Sequence, residues 1–117
     1  MYQGTIRLSN GLVVPRLALG TYLIPEEETA EAVRNALELG YRHIDTAQAY
    51  ENEHGVGEGI RASSVPRDEI FVTSKVLAEI KNYDDAVRSI DESLRKAKLD
   101  RFDLMLIHCP QPWNEYG

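Results

Sequence analysis

Apolar residues along this chain fall into two kinds of pattern that alternate from one end to the other. Short apolar runs occur at Leu17 to Leu19, Tyr41 to Asp45, Ile70 to Ser74 and Phe102 to Ile107. Between them lie stretches with apolar positions three or four apart, the spacing that aligns side chains on one face of a helix. The first predicted helix runs from Glu26 to Leu39, with Ala30, Val33, Ala36 and Leu37 as its stripe. Pro25 opens it, acids crowd its first turn, and Gly40 offers a left-handed stop. The second runs from about Glu53 to Ala62, with Val56 and Ile60 one turn apart. The third carries Val87, Ile90, Leu94 and Ala97; Asn82 can cap it, Asp84 and Asp85 suit its positive end, and Arg95, Lys96 and Lys98 its negative end. Upstream, Thr5 to Leu8 and Leu12 to Val14 flank Ser9-Asn10-Gly11, a hairpin in which Asn-Gly supplies the positive φ angles of a tight turn.

Strands alternating with helices predict a parallel sheet, and Phe102 to Ile107 reads as its near-continuously buried member. Asp45, Lys75 and His108 each stand at the downstream end of an apolar run, 30 and 33 residues apart. That interval is the length of one strand-helix-strand unit. In a parallel α/β barrel the carboxyl ends of the strands share one face, so an acid, a cation and an imidazole would converge there. Tyr50, five residues after Asp45, adds a phenol. The predicted fold is α/β: the N-terminal half of a TIM (β/α)8 barrel, with a β-hairpin, three strand-helix units and a fourth parallel strand in one partial domain over residues 1–117. A complete barrel takes about 250 residues, so the chain is expected to supply about half of one.

The glycines Gly55, Gly57 and Gly59 weaken the second helix and would permit close packing. Gly55-Val56-Gly57 is not a dinucleotide fingerprint, because it does not open a helix directly after a strand. His43, His54 and Asp45 do not make a metal site: side chains alternate along a strand, and His54 lies on a helix. Net charge of −6 argues against nucleic acid and anionic lipid as partners. No apolar run approaches a membrane span, and Met1 to Arg7 does not read as a secretion signal. A single cysteine, Cys109, fits a reducing compartment, so a cytoplasmic location is expected, and its apolar neighbours suggest a packed thiol.

The four polar groups suit one kind of chemistry. A phenol is a poor acid near neutral pH, and a lysine ammonium beside it stabilises the phenolate and eases proton donation. Tyr50 and Lys75 are such a pair. Asp45 would hold Lys75 charged and oriented, and His108 could hydrogen-bond a carbonyl oxygen while charge develops on it. Nothing supplies an activated serine or cysteine nucleophile, so hydride for a carbonyl carbon must come from a bound cofactor. Gly20-Thr21, after the first strand, would let a ligand approach the backbone.

These residues resemble the aldo-keto reductases. Gly40-Tyr41-Arg42-His43-Ile44-Asp45-Thr46-Ala47, continuing through Tyr50-Glu51-Asn52-Glu53 and Val56-Gly57, is similar to the family's first signature. Thr73-Ser74-Lys75 and Leu106-Ile107-His108 are similar to the strand ends carrying its lysine and histidine. The resemblance implies that Tyr50 is the proton donor, Lys75 and Asp45 its tuning pair, and His108 the orienting group. It places Gly20, Thr21 and Tyr22 along the nicotinamide half of NADPH, with Asp45 also touching the nicotinamide ribose. The substrates it implies are small aldehydes and sugar-derived ketones, as in bacterial diketogluconate reductase-like members.

Two positions depart from the family pattern: Cys109 replaces a tryptophan that commonly follows the histidine, and Lys98 stands where a glycine often ends the third helix. The family's segments for the nicotinamide amide, pyrophosphate and 2′-phosphate lie beyond this chain, so the 117 residues alone are expected to bind NADPH weakly or not at all. The competing readings are an inactive half-barrel that self-associates through open sheet edges, and a cofactor-sensing member without turnover. Tyr22, Trp113 and Tyr116 are candidates either for a substrate-pocket wall or for packing at the barrel top.

Overall fold

A computed structural model describes residues 4–109 of the chain. The elements follow in the predicted order: β1 (Thr5–Arg7), β2 (Val13–Pro15), β3 (Leu19–Gly20), α1 (Glu26–Glu38), β4 (His43–Asp45), α2 (Glu53–Ala62), β5 (Phe71–Val76), α3 (Tyr83–Ala97) and β6 (Leu104–Ile107). Two 3-10 turns, Gln48–Tyr50 and Arg67–Glu69, lie before α2 and β5 and were not legible in the apolar pattern. β1 and β2 form an antiparallel hairpin, and β3-β4-β5-β6 form a parallel sheet in sequential order. The predicted half-barrel topology is therefore observed.

The hairpin turn differs from the expected one. Gly11 N–H donates to the Leu8 carbonyl and Leu8 N–H to the Leu12 carbonyl, and Gly11 at φ +88° is its one left-handed residue. This is a turn closed by a glycine bulge rather than a turn with two positive φ angles. The hairpin packs at the amino end of the sheet, where His43 holds it. Nδ1 of His43 lies 3.0 Å from the Pro15 carbonyl oxygen, which only accepts, so Nδ1 carries the proton; Nε2 lies 2.8 Å from Thr73 Oγ1.

Register divides each strand into two faces. Asp45 pairs with Gly20 and Thr73, and Lys75 with Leu106, so these residues share the face that a closed barrel turns inward. The opposite face carries Leu19, Ile44 and Val72, which pack with Val33 and Leu37 of α1 and Val56 and Ile60 of α2 into the core. Lys75 lies within β5 rather than after it, since Val76 still pairs with Ile107.

β6 is not the buried strand its sequence suggests. Leu106, on the inner face, and Ile107, on the helix side, are 42% and 66% exposed, because β6 is an edge strand among the described residues and both faces of the sheet are uncovered there. For the same reason the stripe on α3 is only partly covered: Val87 is exposed, and Ser93 and Ala97 are the buried positions. Cys109, expected to be packed, is exposed just past β6, with φ +48°.

Helix ends are satisfied both locally and across helices. Asn82 Oδ1 accepts from Asp85 N–H at 2.9 Å, the expected cap of α3. Lys98 ends α3 in the left-handed conformation, φ +54°, a role that usually falls to glycine. The Arg61 guanidinium donates to the Ala97 and Lys98 carbonyls, satisfying acceptors at that helix end. Glu38, at the end of α1, accepts from Ser64 N–H at 3.0 Å and from the Ser64 hydroxyl, which hold its carboxyl below its ordinary value of 4.5.

The glycines of α2 are packing devices. A Cβ on Gly57 would lie 1.8 Å from the Ala97 carbonyl oxygen, and one on Gly59 would lie 2.6 Å from that of Ala30. Backbone of α3 and α1 occupies the volume that side chains would need, so α2 sits closer to both than an alanine would allow. Gly57→Ala is expected to destabilise the fold by about 1–3 kcal/mol through overpacking, despite alanine's better helix propensity, and the urea midpoint reads this directly. The Glu38–Ser64 contact contributes stability above pH 4.5 that is lost as pH falls through the lowered value. Glu38→Gln is expected to flatten the acid limb of a stability–pH curve in that window, and an unchanged limb would remove the contact from the account.

Candidate active site

The inward face of the sheet ends in the four polar groups that the spacing singled out. Lys75 Nζ donates to Asp45 Oδ1 on the adjacent strand, to the Thr46 carbonyl at 2.9 Å and to Tyr50 Oη at 3.4 Å. All three ammonium hydrogens therefore have acceptors, and the lysine has one orientation. Lysine only donates, so Tyr50 Oη accepts from it and keeps its own hydrogen for another acceptor. The ammonium also lies 5.1 Å from the centroid of the Tyr50 ring, within cation–π range. Side-chain exposure is 14% for Lys75 and 33% for Asp45, so water screens the pair only in part.

Two rings flank the phenol. The His108 imidazole stands edge-on to Tyr50 at 5.6 Å between centroids, and Tyr22 tilts against its other side at 5.2 Å. His108 is anchored through its backbone, its N–H donating to the Val76 carbonyl at 2.9 Å. Tyr22 is 66% exposed and forms one wall of the open end. Trp113 and Tyr116, its fellow candidates for a pocket wall, lie outside the described residues.

Gly20 and Thr21 take different positions. Gly20 is on the inner face and exposed, and a Cβ built on it meets nothing within 4 Å, so a flat ligand could lie against its backbone. Thr21 is one residue further, and alternation turns its side chain to the helix side, where it is fully buried. Its N–H donates to the Asp45 carbonyl at 3.0 Å, and its Oγ1 lies 3.2 Å from that same oxygen. The Thr21 side chain therefore joins the two loops instead of facing a ligand.

Several residues that the sequence reading left without a role hold this end together. Gln48 accepts from Leu77 N–H at 3.0 Å and donates to Ser89 Oγ at 3.1 Å, fixing the 3-10 turn that carries Tyr50. Glu53, almost fully buried at the start of α2, accepts from Ser74 Oγ at 2.6 Å, next to Lys75 on β5. Asn52 is wholly buried between the loops. Its place directly before a helix suggests a cap, which would have hidden its actual use: the side chain makes no capping bond.

Other polar clusters do not form a second site. His43 is committed to Pro15 and Thr73, and His54 pairs with Glu26 at 3.0 Å, so neither approaches Asp45 as a ligand; no metal-binding group of His, Cys, Asp and Glu occurs among the described residues. A cleft of about 320 Å³ at the amino ends of β5 and β6 is lined by Arg61, Arg67, Lys98 and Arg101. Its guanidinium groups are engaged by carbonyls, Asp103 and Asp68, and it lies at the opposite end of the strands from Lys75. No described helix is long and apolar enough to cross a membrane.

Comparison with known proteins identifies the family. The sequence profile of the Aldo/keto reductase family matches residues 16–117. The chain belongs to the aldo/keto reductase family. It is 49% identical over 110 residues to the morphine 6-dehydrogenase of Pseudomonas putida, an alignment covering 93% of this chain and 37% of that protein. It is 47% identical to a methylglyoxal reductase of Salmonella typhimurium, covering 92% and 38%, and 44% identical to the glyoxal reductase of Bacillus subtilis, covering 91% and 39%. The crystal structure of an aldo/keto reductase from Brucella melitensis superposes with a TM-score of 0.90 at 41% identity, covering 95% of this chain and 43% of that one. This aldo/keto reductase chain thus spans about two fifths of the length of these relatives, and its four-stranded sheet corresponds to half of a TIM barrel.

Proposed function

We propose that this aldo/keto reductase chain carries the proton-donating half of a carbonyl reductase that converts small aldehydes and ketones, including sugar-derived carbonyls, to alcohols. The observation that carries this reading is the Lys75 ammonium, held between Asp45 and Tyr50 Oη at the carboxyl end of the sheet. Tyr50 gives its hydroxyl proton to the carbonyl oxygen as that oxygen gains charge. Lys75 stabilises the phenolate left behind, and Asp45 keeps the ammonium in place. His108, whose ring stands edge-on to the phenol, hydrogen-bonds the same oxygen and sets its direction in this reading.

The hydride for the carbonyl carbon is what a nicotinamide cofactor supplies when bound, and we assign NADPH to that role. The exposed Gly20 backbone, the Tyr22 ring and the Asp45 carboxylate form an open surface that accepts a flat ring, and a Cβ at position 20 would fill part of it. Names of the relatives, methylglyoxal reductase and glyoxal reductase among them, favour small dicarbonyls as first substrates to try.

The test is a pair of variants, made in this chain and in its completed form, assayed with a small dicarbonyl and NADPH. Tyr50→Phe is expected to lower kcat by about a hundredfold or more while cofactor affinity stays within about twofold, because it removes the proton and little binding surface. Turnover retained in Tyr50→Phe would end the assignment. Lys75→Met is expected to depress the rate near neutral pH about tenfold or more, since the phenolate left by proton transfer loses its stabilising cation. An unaltered rate would reduce Lys75 to a structural role.

A further inference from the structure

Asn52 is fully buried, sits two residues after Tyr50, and uses its whole amide on two separate loops. Nδ2 donates to the Thr21 carbonyl at 2.8 Å and to the Ile24 carbonyl at 3.1 Å, both in the loop after β3. Oδ1 accepts from the Thr46 hydroxyl at 2.9 Å and lies 3.4 Å from Thr21 Oγ1. Carbonyl oxygens on one side and hydroxyls on the other dictate which way the amide points. It is free for this use because α2 is capped from elsewhere: Glu26 of α1 accepts from Gly55 N–H at 3.0 Å.

Two of the residues that Asn52 holds, Thr46 and Thr21, adjoin the site. Thr46, whose hydroxyl it accepts from, offers its carbonyl to Lys75 Nζ. Thr21, whose carbonyl it binds, stands between Gly20 and Tyr22, and the Tyr22 ring rests on Tyr50. We propose that Asn52 is a positioning residue: it sets the distance between the loop bearing Gly20 and Tyr22 and the loop bearing Thr46 and Tyr50, so that the phenol is presented between Lys75 and the Tyr22 wall. Aspartate could not replace it, because a carboxylate would face two carbonyl oxygens with no hydrogen to offer. Alanine would leave the Thr46 hydroxyl without its acceptor and the Thr21 and Ile24 carbonyls with only the Ile24 N–H and the Thr29 hydroxyl, so the two loops would be joined through Thr21 and the Asp45 carbonyl alone.

The kinetic part of this inference rests on the reductase reading; the geometric part does not. Asn52→Ala is compared with wild type and with Val72→Ala, a core variant on the helix side of β5 that loses stability without touching either loop. Ring-proton NMR shifts of Tyr22 and Tyr50 report their mutual stacking, and kcat with a small dicarbonyl reports the site. In Asn52→Ala both rings are expected to shift toward free-tyrosine values and kcat to fall about 10- to 100-fold, the usual effect of a displacement near 1 Å, while Val72→Ala keeps both rings and kcat within about twofold. A folded Asn52→Ala protein with unchanged rings and unchanged kcat overturns the proposal. Should Asn52→Ala fail to fold, Thr46→Val, which removes one hydroxyl donor and little volume, carries the test: movement of the same two rings supports the proposal, and unmoved rings overturn it. Rings that move support the positioning role whether or not the wild type reduces a carbonyl, and a completed wild-type protein that reduces none refutes the reductase reading separately.

Discussion

Alternation of side chains between the two faces of a parallel strand is the constraint on which this structure depends. On β4 and β5 it sends Ile44 and Val72 to the helices and Asp45 and Lys75 to the inner face. Packing and chemistry therefore occupy opposite sides of the same strands, and neither compromises the other. A one-residue slip of β5 against β4 would move Lys75 into the apolar core and Val72 onto the open face. The core cluster thus holds register, and register holds the ammonium beside the carboxylate.

The loops at the carboxyl end follow the same logic one layer out. Thr21 and Thr46 continue the outward phase of their strands, which buries both hydroxyls over α2 and leaves Asn52 to join them. Gly20 and Asp45, on the inward phase, stay open. Polar groups buried in this way are tolerated because each finds a partner; among the described residues no buried side-chain nitrogen or oxygen lacks one. This satisfied layer positions the site alongside the core, since no residue of the 3-10 turn bearing Tyr50 is buried and Gln48 fixes the turn through hydrogen bonds.

Close approach of α2 to its neighbours has the same origin in backbone geometry. Gly57 and Gly59 let α3 and α1 carbonyls occupy the space of a side chain, which brings the start of α2, with Asn52 and Glu53, over the ends of β4 and β5. Helix propensity is given up for placement. The departure at Lys98 is of the same kind in reverse: a side chain accepts the left-handed backbone that glycine takes more easily, and Arg61 satisfies the carbonyls around it.

Periodicity and spacing by themselves determined the hairpin, the three helices, the parallel order of the strands and the convergence of Asp45, Tyr50, Lys75 and His108, because these follow from repeats of two, 3.6 and about thirty residues. The same patterns misjudged β6 and the stripe on α3, since an apolar sequence states what can be buried and not whether anything covers it. They left Asn52 without a role. That omission has a physical cause: which distant carbonyl a loop side chain meets depends on the packing of α2 against two strands that the local sequence does not encode. Only the tertiary structure decided that the buried amide ties the two loops of the site together, beside the direct bond from Thr21 N–H to the Asp45 carbonyl.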